Sequence, residues 1–239
     1  MNGLTAADYA DTGQWRMIIN IRIDGMEVWL ENTIHQGIEP QELFNVRWDP
    51  NTEDLLSEIE NAVYDHPRVL EDFSTRIVLF DRKNLFFPTE LYEEEGLEED
   101  RYAEIFGLSA EEVMTDRDKD ISAAFRMAGG LKSFLLRTFP GARITSNLMQ
   151  EVREKRNADN GLRVYLTVRR GEADFIFFEN NKLISGSTHP WRQEPDIIYM
   201  LFNIIDLYGK NASLVKVIVS GMDLSPDTYE KIRSLTIAG

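Results

Sequence analysis

Cysteine is absent from the 239 residues, and histidine occurs three times. The first absence excludes disulfides, thiolate metal sites, iron–sulfur clusters and a cysteine nucleophile. His35, His66 and His189 are far apart and lack paired ligand spacing, so they read as structural or surface residues. Bases are scarce beside acids: 26 Lys and Arg face 41 Asp and Glu, a formal net charge of −15. A chain of that sign repels a polyanion, which argues against nucleic-acid partners. Long apolar runs are missing too. The densest, Ile197–Leu207, is broken by Asn203 and Asp206 and falls far short of the ~20 residues a transmembrane helix needs. Residues 1–14 are polar and acidic, without the basic and apolar regions of a secretory signal. They read as a flexible tail, and the expected location is cytoplasmic. Hydrolase signatures such as Gly-x-Ser-x-Gly and His-Glu-x-x-His do not occur.

What is present, 43% hydrophobic and 10% aromatic residues, suffices for a packed core. Ile19, Ile21 and Ile23 alternate with Asn20, Arg22 and Asp24, a strand pattern broken at Gly25. Met26–Leu30 reads as a second strand, Glu31-Asn32 as a turn and Thr33-Ile34 as a third strand. Gly37–Trp48 has no clear pattern. Asp49-Pro50 looks like the start of a helix bearing Leu55, Leu56, Ile59 and Val63 on one face, which His66-Pro67 ends. Arg76–Phe80 is a short buried strand. The second half repeats this order. Leu162–Val168 is a strand, Arg170-Gly171 a break and Phe175–Phe178 a strand. Asn180-Asn181 is a hairpin turn and Leu183–Ser185 a strand. A helix from Glu194-Pro195 and a buried strand at Val215–Val219 follow. Ser225-Pro226 opens a last helix. Matching order and spacing predict a duplicated α/β unit.

Charge is unevenly spread. Thr89–Asp120 holds 13 acids and 3 bases, and Ile121–Arg170 holds 10 bases and 3 acids. The first stretch reads as an insertion, either a solvated flap or a segment docked on the basic region within the chain or on a neighbouring copy. The expected organisation is a tail at 1–14, a first lobe at 15–156 with an insertion near 89–125, and a second lobe at 157–239.

Three stretches carry a family resemblance: MIINIRIDGMEVWL in the first lobe, GARITSNLMQEV at the join and VYLTVRRGEADFIFFENNKLIS in the second. They resemble a family of uncharacterised bacterial proteins, mainly from Bacteroidetes, with an actin-like ATPase (ribonuclease-H-like) fold. The last is also similar to the second-lobe hairpin of actin-like assembly proteins of type IV pili and type II secretion. The resemblance implies two actin-like lobes, each a mixed sheet with helices, and a nucleotide site built on two Asp-x-Gly hairpins. In such hairpins tight turns bring backbone N–H groups to phosphate and the carboxylates serve Mg²⁺ and water.

Set on that pattern, this sequence departs from it. Arg169-Arg170-Gly171 keeps the glycine but has Arg169 where Asp belongs. In the first lobe, aligning strands puts Arg22 at the Asp position; aligning Gly25 puts Ile23 there. Either way Asp24 is out of register. Ser220-Gly221-Met222 stands where the family has Gly-Gly. A cation at a magnesium position repels the ion, so the resemblance implies a degenerate nucleotide site at Arg22, Asp24, Gly25, Arg169, Arg170, Gly171, Ser220 and Gly221. No catalytic residue, metal or cofactor is then expected. The expected function is a non-catalytic scaffold binding a protein partner, with a homodimer as one form. The alternative is an ATPase using ATP and Mg²⁺ in the inter-lobe cleft. Two weaker patterns complete the reading. Asp116-Arg117-Asp118-Lys119-Asp120 opens like a calcium loop but lacks its later Gly and Glu. Gly129-Gly130-Leu131-Lys132-Ser133 reads as a helix start rather than a phosphate loop. Trp48 and Trp191 fall in loops, as candidate interface residues.

Overall fold

The structure, a computed structural model, describes residues 12–35, 37–89, 96–127, 129–156 and 160–238. Most of the expected tail lies outside the described residues, as do 157–159 of the expected connector. The chain forms two compact units. One comprises Met1–Asp81, Tyr92–Asp116 and Ala124–Asn147; the other comprises Arg82–Leu91, Arg117–Ala123 and Leu148–Gly239.

The first unit is built on β1 (Trp15–Arg22), β2 (Gly25–Asn32), β3 (Gln41–Arg47), β4 (Ser74–Leu79) and β8 (Arg143–Ser146), in the order β3-β2-β1-β4-β8. The alternation in β1 is realised: Trp15, Met17, Ile19 and Ile21 are buried and their neighbours are not. β1 pairs antiparallel with β2 and parallel with β4. α1 (Leu55–Asp65) and α3 (Leu131–Thr138) lay Ile59, Val63, Leu131, Phe134 and Leu135 into the same core.

Two local expectations need correction here. The third strand is β3, not Thr33-Ile34. Asn32 ends β2, and its Oδ1 accepts from the N–H groups of Ile34 and His35 at 3.0 and 2.7 Å. The helix is capped by Asp54, whose carboxylate accepts from Ser57 N–H at 3.0 Å, while Asp49 caps only its own turn through Asn51. In the expected insertion, α2 (Leu97–Phe106) and β6 (Val113–Asp118) are regular elements. Gly130, at φ +77°, does start α3.

The second unit repeats the first. Its strands are β9 (Leu162–Arg169), β10 (Glu172–Glu179), β11 (Lys182–Pro190), β12 (Val215–Gly221) and β13 (Ile237–Ala238), in the order β11-β10-β9-β12-β13. The pairing senses are the same, β10 antiparallel to β9 and β11, and β12 parallel to β9. Asn180 and Asn181 close the β10–β11 hairpin at φ 48° and 67°, the left-handed pair such a turn requires. α5 (Glu194–Leu207) and α6 (Pro226–Leu235) cover one face with Ile197, Leu201, Ile205 and Ile232. α4 (Asn147–Lys155) covers the other with Leu148, Met149 and Val152 against Tyr165, Ile176 and Phe178. A third sheet is formed by β5 (Asn84–Pro88), β7 (Ile121–Arg126) and β6 in the order β5-β7-β6.

Among the described residues, part of the acid–base split is met by pairing within each unit. In the first, Arg126 meets Glu112 at 3.5 Å and Arg143 meets Asp116 at 3.7 Å. In the second, Asp118 lies 3.9 Å from Arg153 and 3.7 Å from Arg156, which also bonds Asp120. The triple aspartate is thus committed to arginines rather than arranged as a cation loop. Among the described residues, no helix is long and apolar enough to cross a membrane.

Candidate functional site

In open α/β sheets, ligands sit beyond the carboxyl ends of the strands. The two hairpins at those ends carry most of the residues singled out above. In the first unit, β1 and β2 join through Ile23-Asp24, with Arg22 opposite Gly25. In the second, β9 and β10 join through Arg170-Gly171, with Arg169 opposite Glu172. Register therefore equates Arg22 with Arg169, and Asp24 with Gly171. The glycines are not equivalents. Gly25 is needed because a Cβ there would stand 2.5 Å from Val46 O, whereas Gly171 is needed for a turn at φ +75°.

Hydrogen bonds confirm this register. Trp48 N–H donates to Asp24 O at 3.2 Å, and Trp191 N–H donates to Gly171 O at 3.0 Å. Each indole also clamps its hairpin, Trp48 Nε1 to Ile23 O at 2.8 Å and Trp191 Nε1 to Arg169 O at 2.9 Å. Just beyond the parallel neighbours, Phe80 N–H bonds Ile21 O at 2.9 Å and Met222 N–H bonds Val168 O at 2.8 Å. The tryptophans read from sequence as interface candidates are hairpin clamps.

Both arginines are tied to a carboxylate five residues on, across the hairpin. Arg22 Nη2 lies 3.7 Å from Glu27, and its guanidinium sits 4.5 Å over the Phe80 ring. Glu27 is also held by Arg47 at 2.8 Å, and Arg47 reaches half-exposed Asp24 at 3.5 Å. The second unit draws this device inward. Arg169 Nη1 bonds Asp174, which is fully buried, and lies 3.9 Å from Glu151. Its Nη2 lies 3.8 Å from Glu172, which Arg82 also pairs. Thr188 donates to the other Asp174 oxygen at 2.6 Å. Burial raises the Asp174 carboxyl above its ordinary range, against the pull of Arg169 and Thr188. Thr167, bonded to Glu151 at 2.8 Å and Lys155 at 3.0 Å, extends the network to Ser220 at 3.2 Å. Arg170 is exposed at the turn. Gly221, at φ +90°, passes so close to β9 that a Cβ would stand 2.1 Å from Val168 O.

The partner carboxylates Glu27 and Asp174 were missed in the sequence. The available signal was an Arg and an acid five residues apart, straddling a turn, in both halves. Tyr102, Ile105 and Phe106, readable in sequence as a short helical piece, lie in α2, which buries Glu98 and Tyr102 completely. Burial and the negative charge of Asp81, just beyond β4, push the Tyr102 phenol far above its usual range. Among the described residues, no group of three or more His, Asp or Glu is arranged to hold a metal ion.

A five-stranded mixed sheet, repeated with the same order and the same hairpin clamps, defines an actin-like two-lobed protein. The comparison with solved structures agrees. A Bacteroides thetaiotaomicron protein with an actin-like ATPase fold and unknown function matches with a TM-score of 0.79 at 21% identity, over 99% of this chain and 93% of that one. Weaker likenesses include the cytoplasmic domain of EpsL, an inner-membrane component of the Vibrio cholerae type II secretion system. It has a TM-score of 0.47 and 8% identity, over 88% of this chain and 84% of that one. A PilM–PilN type IV pilus biogenesis complex gives 0.44 and 10%, over 92% of this chain and 83% of that one. The chain belongs to the family of proteins of unknown function designated DUF3822, which it matches over residues 6–235. No curated protein sequence matches it.

Proposed function

We propose that this protein is a non-catalytic actin-like scaffold for a protein partner, with its ancestral phosphate hairpins closed by internal ion pairs. One observation carries the reading: Arg169, at the position where the resemblance implies an aspartate, is bound to fully buried Asp174 and flanked by Glu151 and Glu172. The residues do not fit a magnesium ion there, because a fixed cation already satisfies the carboxylates and would repel a second one. Arg22 with Glu27 repeats the arrangement in the first unit. Asp24, the remaining acid of the first hairpin, is half-exposed and faces Arg47. The protein therefore works through its surface rather than through turnover.

Steady-state ATP hydrolysis by the purified full chain tests this. The expected result is no turnover above a protein-free blank, with or without Mg²⁺. Mg²⁺-dependent turnover that disappears in Asp24→Ala would overturn the proposal and establish the ATPase alternative.

A further inference from the structure

The second unit holds a charge that its own structure does not neutralise. Arg163 is 1% exposed. Its guanidinium donates to Asn181 Oδ1 at 2.7 Å, to the Tyr165 hydroxyl at 3.3 Å and to Arg156 O at 3.4 Å, all uncharged acceptors. It lies 5.9 Å from the Tyr165 ring and 5.6 Å from that of Phe178. No carboxylate among the described residues pairs with it, and its Nε is buried without an acceptor. A buried charge is costly unless an opposite charge accompanies it. Rings and neutral oxygens supply only part of that compensation.

Asn181, the closest partner, lines a cleft of about 360 Å³ with Pro88, Asp120, Ile121, Asn180, Lys182 and Leu183. Arg163 holds the Asn181 carbonyl oxygen inward, which turns the amide NH₂ away from the guanidinium; one of its two hydrogens meets Asn160 Oδ1 at a long 3.5 Å, and the other is left for a ligand. Lys182 adds a second, exposed donor. Asp120, the one acid in the lining, is neutralised by Arg156, which is itself buried. The cleft's wall therefore offers the donors of Asn181 and Lys182 beside an already paired carboxylate, and Pro88, Ile121 and Leu183 are apolar.

We propose that this cleft binds a small organic oxyanion, its acidic group on Asn181 and Lys182 in front of Arg163 and its apolar body on Pro88, Ile121 and Leu183. The site is distinct from the strand-end hairpins. On β9 and β10 the pair Leu162–Glu179 stands at one end and Arg169–Glu172 at the other, roughly 23 Å away at 3.3 Å per residue. It does not depend on the scaffold reading.

Thermal unfolding of the full chain at fixed ionic strength tests it, with benzoate and phenyl phosphate as probes and benzyl alcohol as the uncharged control. A carboxylate group and a phosphate group are thereby distinguished. The expected result is a midpoint that rises with benzoate or phenyl phosphate and not with benzyl alcohol. Asn181→Asp places the missing counter-charge beside Arg163 in a turn position that tolerates Asp. It is expected to raise the midpoint of the unliganded protein and to abolish the response to the anions. Lys182→Gln, at an exposed position, is expected to weaken the response, and an undiminished response in it counts against the proposal. The proposal is overturned if neither anion raises the midpoint, if benzyl alcohol raises it equally, or if Asn181→Asp leaves the response intact or lowers the unliganded midpoint.

Discussion

Removing Arg169 while leaving its carboxylate in place is the sharpest perturbation of the second-unit hairpin. In Arg169→Met, Asp174 remains fully buried and loses its bonded cation. Breaking a buried pair from one side costs about 3–5 kcal/mol. Thr188 still donates to Asp174, so the expected loss sits at the lower end, about 3 kcal/mol. For a chain of this length that lowers the thermal midpoint by roughly 6–12 °C. The loss depends on pH. Burial already raises the Asp174 carboxyl above the ordinary aspartate range, and removing Arg169 raises it further. Folded Arg169→Met then holds a proton that the unfolded chain releases, so its stability falls as pH rises through the folded pKa. The deficit relative to the parent protein is expected to be larger near pH 8 than near pH 5. Replacing both partners, as Arg169→Met with Asp174→Asn, removes the orphaned charge and restores most of the loss. Urea denaturation of the four proteins, read as a double-mutant cycle, measures the coupling. A cost for Arg169→Met below about 1 kcal/mol, the range of a surface pair, would refute the argument and leave Arg169 free for a ligand.

Other consequences follow from the same geometry. Gly221→Ala puts a Cβ 2.1 Å from Val168 O at φ +90°, whereas Gly171→Ala meets open space at φ +75°. Chemical denaturation is expected to show a loss of about 1–2 kcal/mol for Gly171→Ala, the backbone cost alone, and a clearly larger one for Gly221→Ala. Glu194 accepts from Ser225 N–H at 3.0 Å and from the Thr228 hydroxyl at 2.6 Å, and these bonds hold its carboxyl below the ordinary range. Its contribution is present above the unfolded value near 4.5 and lost as pH falls through the folded one; Glu194→Gln should flatten that part of the stability–pH curve. Because Asp116 pairs with Arg143, Asp118 with Arg153 and Arg156, and Asp120 with Arg156, amide exchange over residues 113–120 should accelerate from low to high salt. Unchanged exchange would mean that those pairs do not hold the segment.

The second unit was the more legible in sequence. Its strands are dense in β-branched and aromatic residues, and Asn180-Asn181 is a strong turn signal. β3 was hidden because it is an edge strand with one buried side chain, Phe44, among Glu42, Asn45 and Arg47. The helix start was misplaced because two aspartates competed, and only Asp54 has Ser57 three residues on to cap. Hairpin register was ambiguous because Gly25 and Gly171 invite alignment, although one answers a close approach and the other a positive φ. The arginines were visible, but their partners were not. Asp174 reads as an ordinary polar position, and only pairing across the hairpin shows that it is buried with Arg169. The first-unit counterpart, Glu27 with Arg22, was hidden for the same reason.

If an internal guanidinium stands in for the metal at the hairpin of the second unit, Mg-ADP and Mg-ATP have no site there. Isothermal titration of both into the purified chain and into Arg169→Asp is the decisive experiment. No measurable heat of binding to the parent protein is expected. Stoichiometric, Mg²⁺-dependent binding to the parent protein, weakened in Arg169→Asp, would show that the guanidinium does not exclude the metal.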